Sequence, residues 1–471
     1  MERKEQEYAL QEGLAAELAG GLIDRRQFMT TMMTAGLGLA GASVLSACSP
    51  ADSGGAGATA SPTGDGAGGD STSTRPLTPA FYQWVEDFHP DGIKRVNEGF
   101  DDLNYQIAPT ENFDMQRFIA EAQNNESTWD VYVGMTPFVE MTAFIEAGVI
   151  EPWDPYIPKD VLDDISPAIR EECSIDGKLY NWPFLLDVNV MGYNSRITEE
   201  AGIGDVPQDW DAYLAAAQEV IDSGAAQYGA TYDGLGWRSI GPFAHSLSSD
   251  VYTPEGLFDF TSDIAAEALE LMKKIMAVSH PDILAGANAD GVLPDEVAFA
   301  AESVAYYTKF QNAILRMAGN WPEPSNLKLV GLPSFAGGEG STIFWTTGAS
   351  LFKHGQNKEA AAEYIRTLTY DNQLWQDSVV GSATTHPGQL PPYESILSEW
   401  DSNPPEWLPD FVPLVRDQMT RAKAIENHLF GLTQFIIGRE HWEKYLTGDV
   451  SSPQEALQQA QDAVNAELEK A

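Results

Sequence analysis

From about Leu77 onward, short runs of β-branched and aromatic residues alternate with segments whose apolar side chains recur every three or four positions. Pro79 to Val85 predicts a first strand, and Ile93, Val96 and Phe100 share one face of a helix over 93–103. Tyr105 to Ala108 predicts a second strand, 113–124 a second helix and Trp129 to Val133 a third strand. Strand, helix, strand, helix, strand is the pattern of a doubly wound α/β layer. The theme continues with a helix over 209–223, capped at its start by Gln208-Asp209 and led by Trp210, Tyr213 and Leu214. Another spans 263–278, with Ile264, Ala268, Leu271, Met272, Ile275 and Met276 as its core stripe. Asn357 stands as the cap of a helix through Thr369 that buries Ala361, Tyr364, Ile365 and Leu368. No internal period of about 20–50 residues marks a solenoid or propeller.

The first part of the chain carries a different pattern. Arg25-Arg26 precede an uncharged stretch, Thr30 to Ala47, that is small and weakly apolar and ends in Leu45-Ser46-Ala47-Cys48. A membrane span needs about 20 strongly apolar residues, and the Gly, Ser and Thr here argue against one. Paired arginines, a mild apolar core and small residues at its end read as a twin-arginine export signal over 1–47. The Leu-Ser-Ala-Cys ending resembles the bacterial lipobox, in which the cysteine becomes the acylated first residue. Several acyl chains, each methylene contributing about 0.8 kcal/mol, would hold a soluble body at a membrane. A disulfide between Cys48 and Cys173, the other cysteine, is the competing reading. With Cys48 acylated, Cys173 would be an unpaired, buried small apolar residue. Residues 49–74 are nearly all Ser, Gly, Ala, Thr, Pro and Asp, too poor in large apolar side chains to order themselves. Together with Cys48 they predict a flexible tether over 48–76.

Length and charge narrow the picture further. The remaining body, roughly 400 residues, is too long for one core and suits two lobes. A formal charge of −43 excludes non-specific nucleic-acid binding as a main activity, since a polyanion would be repelled. The chain contains no phosphate-binding glycine loop, no dinucleotide fingerprint and no nucleophile elbow. His89, His245, His280, His354, His386, His428 and His441 are scattered, so neither a metal nor another cofactor is expected. Asp101-Asp102 and Asp163-Asp164 read as solvated acidic faces, and no motif supports the pair of facing carboxylates that a glycosidase needs.

Several blocks in a fixed order resemble the bacterial extracellular solute-binding proteins of family one, the maltose-binding-protein-like receptors of ABC importers. They are Ala147 to Trp153, Asp176-Gly177-Lys178-Leu179-Tyr180 through Asp187 to Val190-Met191-Gly192-Tyr193-Asn194, Ala201-Gly202-Ile203, Pro207 to Trp210, Val330 to Pro333 and Asn357 to Ala361. The chain departs from the family at Phe299 to Ala305, which lacks the usual glycine, and at Gly134 to Pro137, where the maltose receptor carries aromatic and charged ligand groups.

The resemblance implies a non-enzymatic receptor with two α/β lobes joined by crossing strands near Phe184–Val188, Phe344–Gly348 and Tyr393–Leu397. The lobes would be 77–186 with 348–395 and 187–347 with 396–471. It implies a monomer on the outer face of the cytoplasmic membrane or in the periplasm, held to the membrane by lipid alone and delivering a mono- or oligosaccharide to permease subunits. Sugars present apolar faces to aromatic rings and a hydroxyl rim to polar groups. The ligand set implied is Asp187 at the first crossing, Trp237 and Arg238 in a glycine-rich loop, Trp345 at the second crossing, and Phe310. Gln434 and Phe435 match the C-terminal stacking position, and Trp84, Glu86 and Asp87 follow the first strand. For each, a packing or solvated role is the alternative, and Trp153 and Trp210 read as packing. A polyamine, glycerol phosphate or peptide is the alternative ligand, and a surface glycoside hydrolase or lyase the alternative class.

Overall fold

The computed structural model describes residues 75–108, 116–286, 292–335, 341–380, 388–402 and 410–470. Arg25, Arg26, Cys48 and the tether lie outside the described residues.

The α/β expectation holds. Four short strands, β1 (Pro79–Phe81), β2 (Gln106–Ile107), β3 (Val131–Met135) and β4 (Ile150–Glu151), come from the first third of the body. A hairpin of β5 (Ser174–Ile175) and β6 (Lys178–Leu179) leads into β7 (Trp182–Asn194). Then follow β8 (Tyr228–Tyr232), β9 (Val304–Phe310), β10 (Leu327–Val330), β11 (Ile343–Phe352) and β12 (Lys423–Ala424). The main sheet runs β2-β1-β3-β11-β7-β9-β8. β1 is parallel to β2 and β3, and β8 is parallel to β9. β7 is antiparallel to both β11 and β9.

Two long strands make this sheet serve two lobes. The first half of β7 pairs with β11 through Trp182–Val188, and the second half pairs with β9 and β10 through Asn189–Asn194. β11 in turn reaches β3 and β4 through Gly348–Phe352. A strand covered on both faces reads as a continuous apolar run, and all but one of the thirteen β7 residues are buried. Both ladders of β11 slip register at Gly348. A Cβ there would stand 2.3 Å from the Trp182 carbonyl oxygen, so only glycine allows the approach.

Two cores flank the crossing. One gathers Phe81, Trp129, Trp153, Trp182, Phe352 and Tyr364, and continues beneath β9 to Phe299, Tyr307 and Trp321. The other gathers Trp210, Tyr213, Phe243, Leu269, Phe260 and Trp442. Cys173 is buried and free, its Sγ 3.3 Å from Thr346 Oγ1 on β11.

Local departures from the expected elements have physical causes. The first strand stops at Phe81 because Gln83–Phe88 turns helical, and the next helix is Pro90–Asn97, started by proline at its first position. Asp209 caps Trp210–Ser223 by accepting from Ala212 N, and Ser262 caps Asp263–Met276 through Ala265 N. Asn357 stands at the start of Lys358–Thr369, but its Nδ2 donates to Asp130 Oδ2 instead of its side chain capping the helix. Around the expected third crossing, Leu390 bridges Leu186 and Tyr393 bridges Ile165, and Glu394–Ser402 is a helix.

Candidate functional site

Alternation along β7 sends Asp187 and Asn189 to the same face of the sheet. Trp345 of β11 lies directly opposite Asp187, and Phe310 of β9 directly opposite Asn189. Cross-strand partners of this kind stand about 5 Å apart, so these four side chains form one patch at the crossing. Beside Asp187, the helix Gln311–Ala318 begins immediately after β9. Gln311 Nε2 and Asn312 Nδ2 donate to Asp187 Oδ1 at 2.9 and 2.5 Å. Burial pushes the Asp187 carboxyl up to about 6, although the donors from Asn312 and Gln311 favour its charge.

A glycine-rich loop covers the patch. After β8, Gly236 takes φ +48°, a left-handed value that glycine adopts without strain, and starts the helix Trp237–Leu247. The Trp237 ring meets Trp345 edge-on at 4.5 Å, and the Arg238 guanidinium lies 5.5 Å from the rings of Trp237 and Phe310. Phe310 and Trp345 are themselves 5.3 Å apart. Asp187, Trp345, Phe310, Trp237 and Arg238 are therefore brought together.

The other candidates lie elsewhere. Phe435 is fully buried against Phe258 and Phe260, and Gln434 accepts from the Phe258 amide, so both belong to the second core. Glu86 accepts from the Tyr105 hydroxyl and Asp87 from Gln83. Trp84 is half-buried, edge-on to Tyr82 and Phe88. Phe88 lies 5.2 Å from the guanidinium of Arg316, so this segment reaches the Gln311–Ala318 helix through a residue the motifs did not name.

Sequence reasoning also missed Phe138 and Asn189. Phe138 follows β3, yet its ring is buried in the second core and lies 5.0 Å edge-on from Trp237. Asn189 is a lone amide within the apolar run of β7, two residues from Asp187, and that spacing was the available signal.

Behind the patch sits a charge cluster. Lys309 is buried with Nζ 2.8 Å from Asp295, 3.1 Å from Glu296 and 3.4 Å from Asp233. Asp233 also holds Arg238 at 3.2 Å, and Glu296 holds Arg316 at 3.1 Å. Burial works against charge on both sides, but the Asp233, Asp295 and Glu296 carboxylates hold Lys309 above its ordinary value. The cluster fixes Arg238 over the aromatic patch. Among the described residues no group of three or more His, Cys, Asp or Glu side chains is placed to hold a metal ion.

Residues 74–371 match the bacterial extracellular solute-binding protein family, well over half of the chain. The chain belongs to that family. This solute-binding protein is 28% identical over 239 residues to the erythritol/L-threitol-binding protein of Mycolicibacterium smegmatis, covering 44% of this chain and 47% of the relative. It is 24% identical over 239 residues to a binding protein of Brucella abortus, covering 48% and 55%. The chain thus spans about half the length of these relatives. Among solved structures, T. maritima MalE3 bound to maltose superposes with a TM-score of 0.68 at 15% identity, over 83% of this chain and 100% of that one. The cyclic α-maltosyl-1,6-maltose binding protein of Arthrobacter globiformis superposes at 0.63 and 21% identity, over 84% and 99%. These likenesses establish the two-lobed periplasmic-binding-protein fold. The family is extracellular and composed of binding proteins of the ABC-importer type, and among the described residues no helix is long and apolar enough to cross a membrane.

Proposed function

We propose that this protein captures a carbohydrate between its lobes and delivers it to the permease of an ABC importer, without catalysis. The observation that carries the reading is the patch at the strand crossing. There Trp237, Trp345 and Phe310 offer ring faces and edges while Asp187, Asn189 and Arg238 offer hydrogen-bonding groups. Aromatic cover with a few convergent polar groups suits a pyranose or a polyol. The ligands for which the relatives and neighbours are named, erythritol or threitol, maltose and a cyclic maltosyl sugar, lie within that class. A phosphate ester fits less well, because the nearest cations, Arg238 and Lys309, are already held by Asp233.

The two lobes in this reading are 77–186 with 348–395 and 187–347 with 396–471, closing about β7 and β11 as hinge strands. Export through Arg25-Arg26 and acylation at Cys48 would place the body outside the membrane on its tether, as a monomer. Isothermal titration against tetritols, monosaccharides and malto-oligosaccharides tests the ligand class, with at least one micromolar binder expected. Binding confined to polyamines, phosphate esters or peptides, or hydrolysis of a chromogenic glycoside that disappears in Asp187→Asn, would overturn it. For the anchor, Cys48→Ala should release the protein from the membrane fraction, and continued association would remove that part of the proposal.

A further inference from the structure

The polar groups around the strand crossing fall into two kinds. Asp187 accepts from two side-chain amides, Lys309 faces three carboxylates, and Thr347 shares a hydrogen bond with Thr136. Asn189 stands apart: among the described residues it alone leaves two buried side-chain polar atoms unpaired. It is 1% exposed, and neither its Oδ1 nor its Nδ2 has a hydrogen-bond partner among the described residues. Its backbone stands opposite Phe310 in the ladder, and its carbonyl accepts from the Thr342 hydroxyl. Only the side chain is left over. A buried amide without partners costs free energy at every moment of the protein's life, and an apolar side chain of similar volume would remove that cost.

We infer that Asn189 is the specificity-determining residue of the site, pairing through Oδ1 and Nδ2 with two neighbouring hydroxyls of a neutral sugar or polyol. The inference rests on the carbohydrate reading and narrows it. An amide places one acceptor and one donor side by side in a single plane. A vicinal diol matches that pair, one hydroxyl donating to Oδ1 while the next accepts from Nδ2. A carboxylate could only accept, and an ammonium ligand could only donate, so either would leave half of the amide unpaired. Asp187 lies on the same face about 7 Å along the strand, which is the scale of one sugar ring. Phe310 directly opposite Asn189 supplies the apolar surface for the C–H face of the same ring. With the amide 1% exposed, the diol reaches it when the lobes open about β7 and β11.

The test begins with titration of the wild type against the sugar and polyol panel. The best binder, and its analogues lacking one hydroxyl at a time, are then titrated against the wild type and Asn189→Leu. At least a tenfold loss of affinity for the parent ligand is expected in Asn189→Leu, with a thermal midpoint, measured without ligand, equal to or above that of the wild type. For two analogues lacking adjacent hydroxyls, the loss on going from wild type to Asn189→Leu should be smaller than for the parent ligand, because one of the two pairings is already gone. If Asn189→Leu does not fold, Asn189→Ala is read the same way. No binder in the panel would overturn the carbohydrate reading and the inference with it. A wild-type binder that keeps its affinity in the variant would overturn the inference alone. So would a lowered thermal midpoint in both variants, or deoxy penalties that persist undiminished at every position.

Discussion

Lys309 and Phe310 are neighbours on β9, and their partners on β7 are Val190 and Asn189. One peptide unit thus separates two faces that treat buried polarity in opposite ways. On the Lys309 side a cation is enclosed by three carboxylates, and two arginines complete the cluster. On the Phe310 side a neutral amide stands opposite an aromatic ring and has no partner among the described residues. Removing a charge from water is tolerable only when it is paired and hydrogen-bonded. A neutral amide can be left unpaired at a cost small enough for a fold to carry. The ion-paired cluster is scaffold, and the unpaired amide is where a ligand has something to gain.

The largest effect should come from breaking the ion-paired cluster. Lys309→Met strands the buried Asp295 carboxylate and leaves Asp233 and Glu296 with one arginine each, and is expected to cost about 3–5 kcal/mol in urea unfolding. A loss below about 1 kcal/mol would show that the cluster is not held by ion pairing. On the other face, Trp237→Ala should weaken the panel's best sugar about tenfold, roughly 1.4 kcal/mol, with little change in melting because Trp237 is only half-buried. Unchanged affinity would remove Trp237 from the site.

A graded effect, spread over pH, concerns Glu172, on the opposite side of β11 from Trp345. Thr346 donates to it through both its amide and its hydroxyl, at 2.9 Å each. Burial raises its carboxyl to about 8, and that of Glu140 likewise to about 8. A carboxyl that keeps its proton in the fold but loses it when unfolded stabilises at low pH, and that contribution is lost as the pH rises toward 8. Stability from urea titrations should therefore fall by up to about 1.4 kcal/mol per pH unit for each such group between about pH 6 and about pH 8. Glu172→Gln, which mimics the protonated acid, should flatten the slope. An unchanged slope would assign it to other groups. The smallest effect is expected at an exposed pair: Lys159→Ala, which breaks the contact with Asp163, should change stability by less than about 0.5 kcal/mol. A cost comparable to Lys309→Met would mean that burial is not what separates the two lysines.

Much of this was legible beforehand because long amphipathic segments carry their own evidence. The stripe of Ala268, Leu271, Met272 and Ile275 is buried in Asp263–Met276 as its spacing required. The crossing near Phe184–Val188 was legible for another reason: the family motifs around it imply its place, and the continuous burial of β7 matches a strand covered on both faces. Short elements were less readable. Pro79 to Val85 has strand composition throughout, yet tertiary context turns Gln83–Phe88 into a helix. At the site, family motifs pointed to Asp187, Trp237, Arg238, Trp345 and Phe310, which the fold gathers. Phe138 and Asn189 escaped because their roles depend on what lies across the crossing. Nothing local in Pro137-Phe138 says that the ring enters the other lobe's core, and nothing local in Val188-Asn189-Val190 says that the amide is left without a partner.

The buried thiol of Cys173 has a practical consequence. It lies against Thr346, on the back of one of the two strands about which the lobes close, and burial holds its thiol well above the usual range. The thiolate is the reacting form, so in the packed state alkylation is suppressed twice, by access and by ionisation. Its modification rate by iodoacetamide is consequently a stopwatch built into the protein, running only while the joint behind β11 is loosened. A ligand that locks the lobes together should slow that stopwatch, without any label having been introduced.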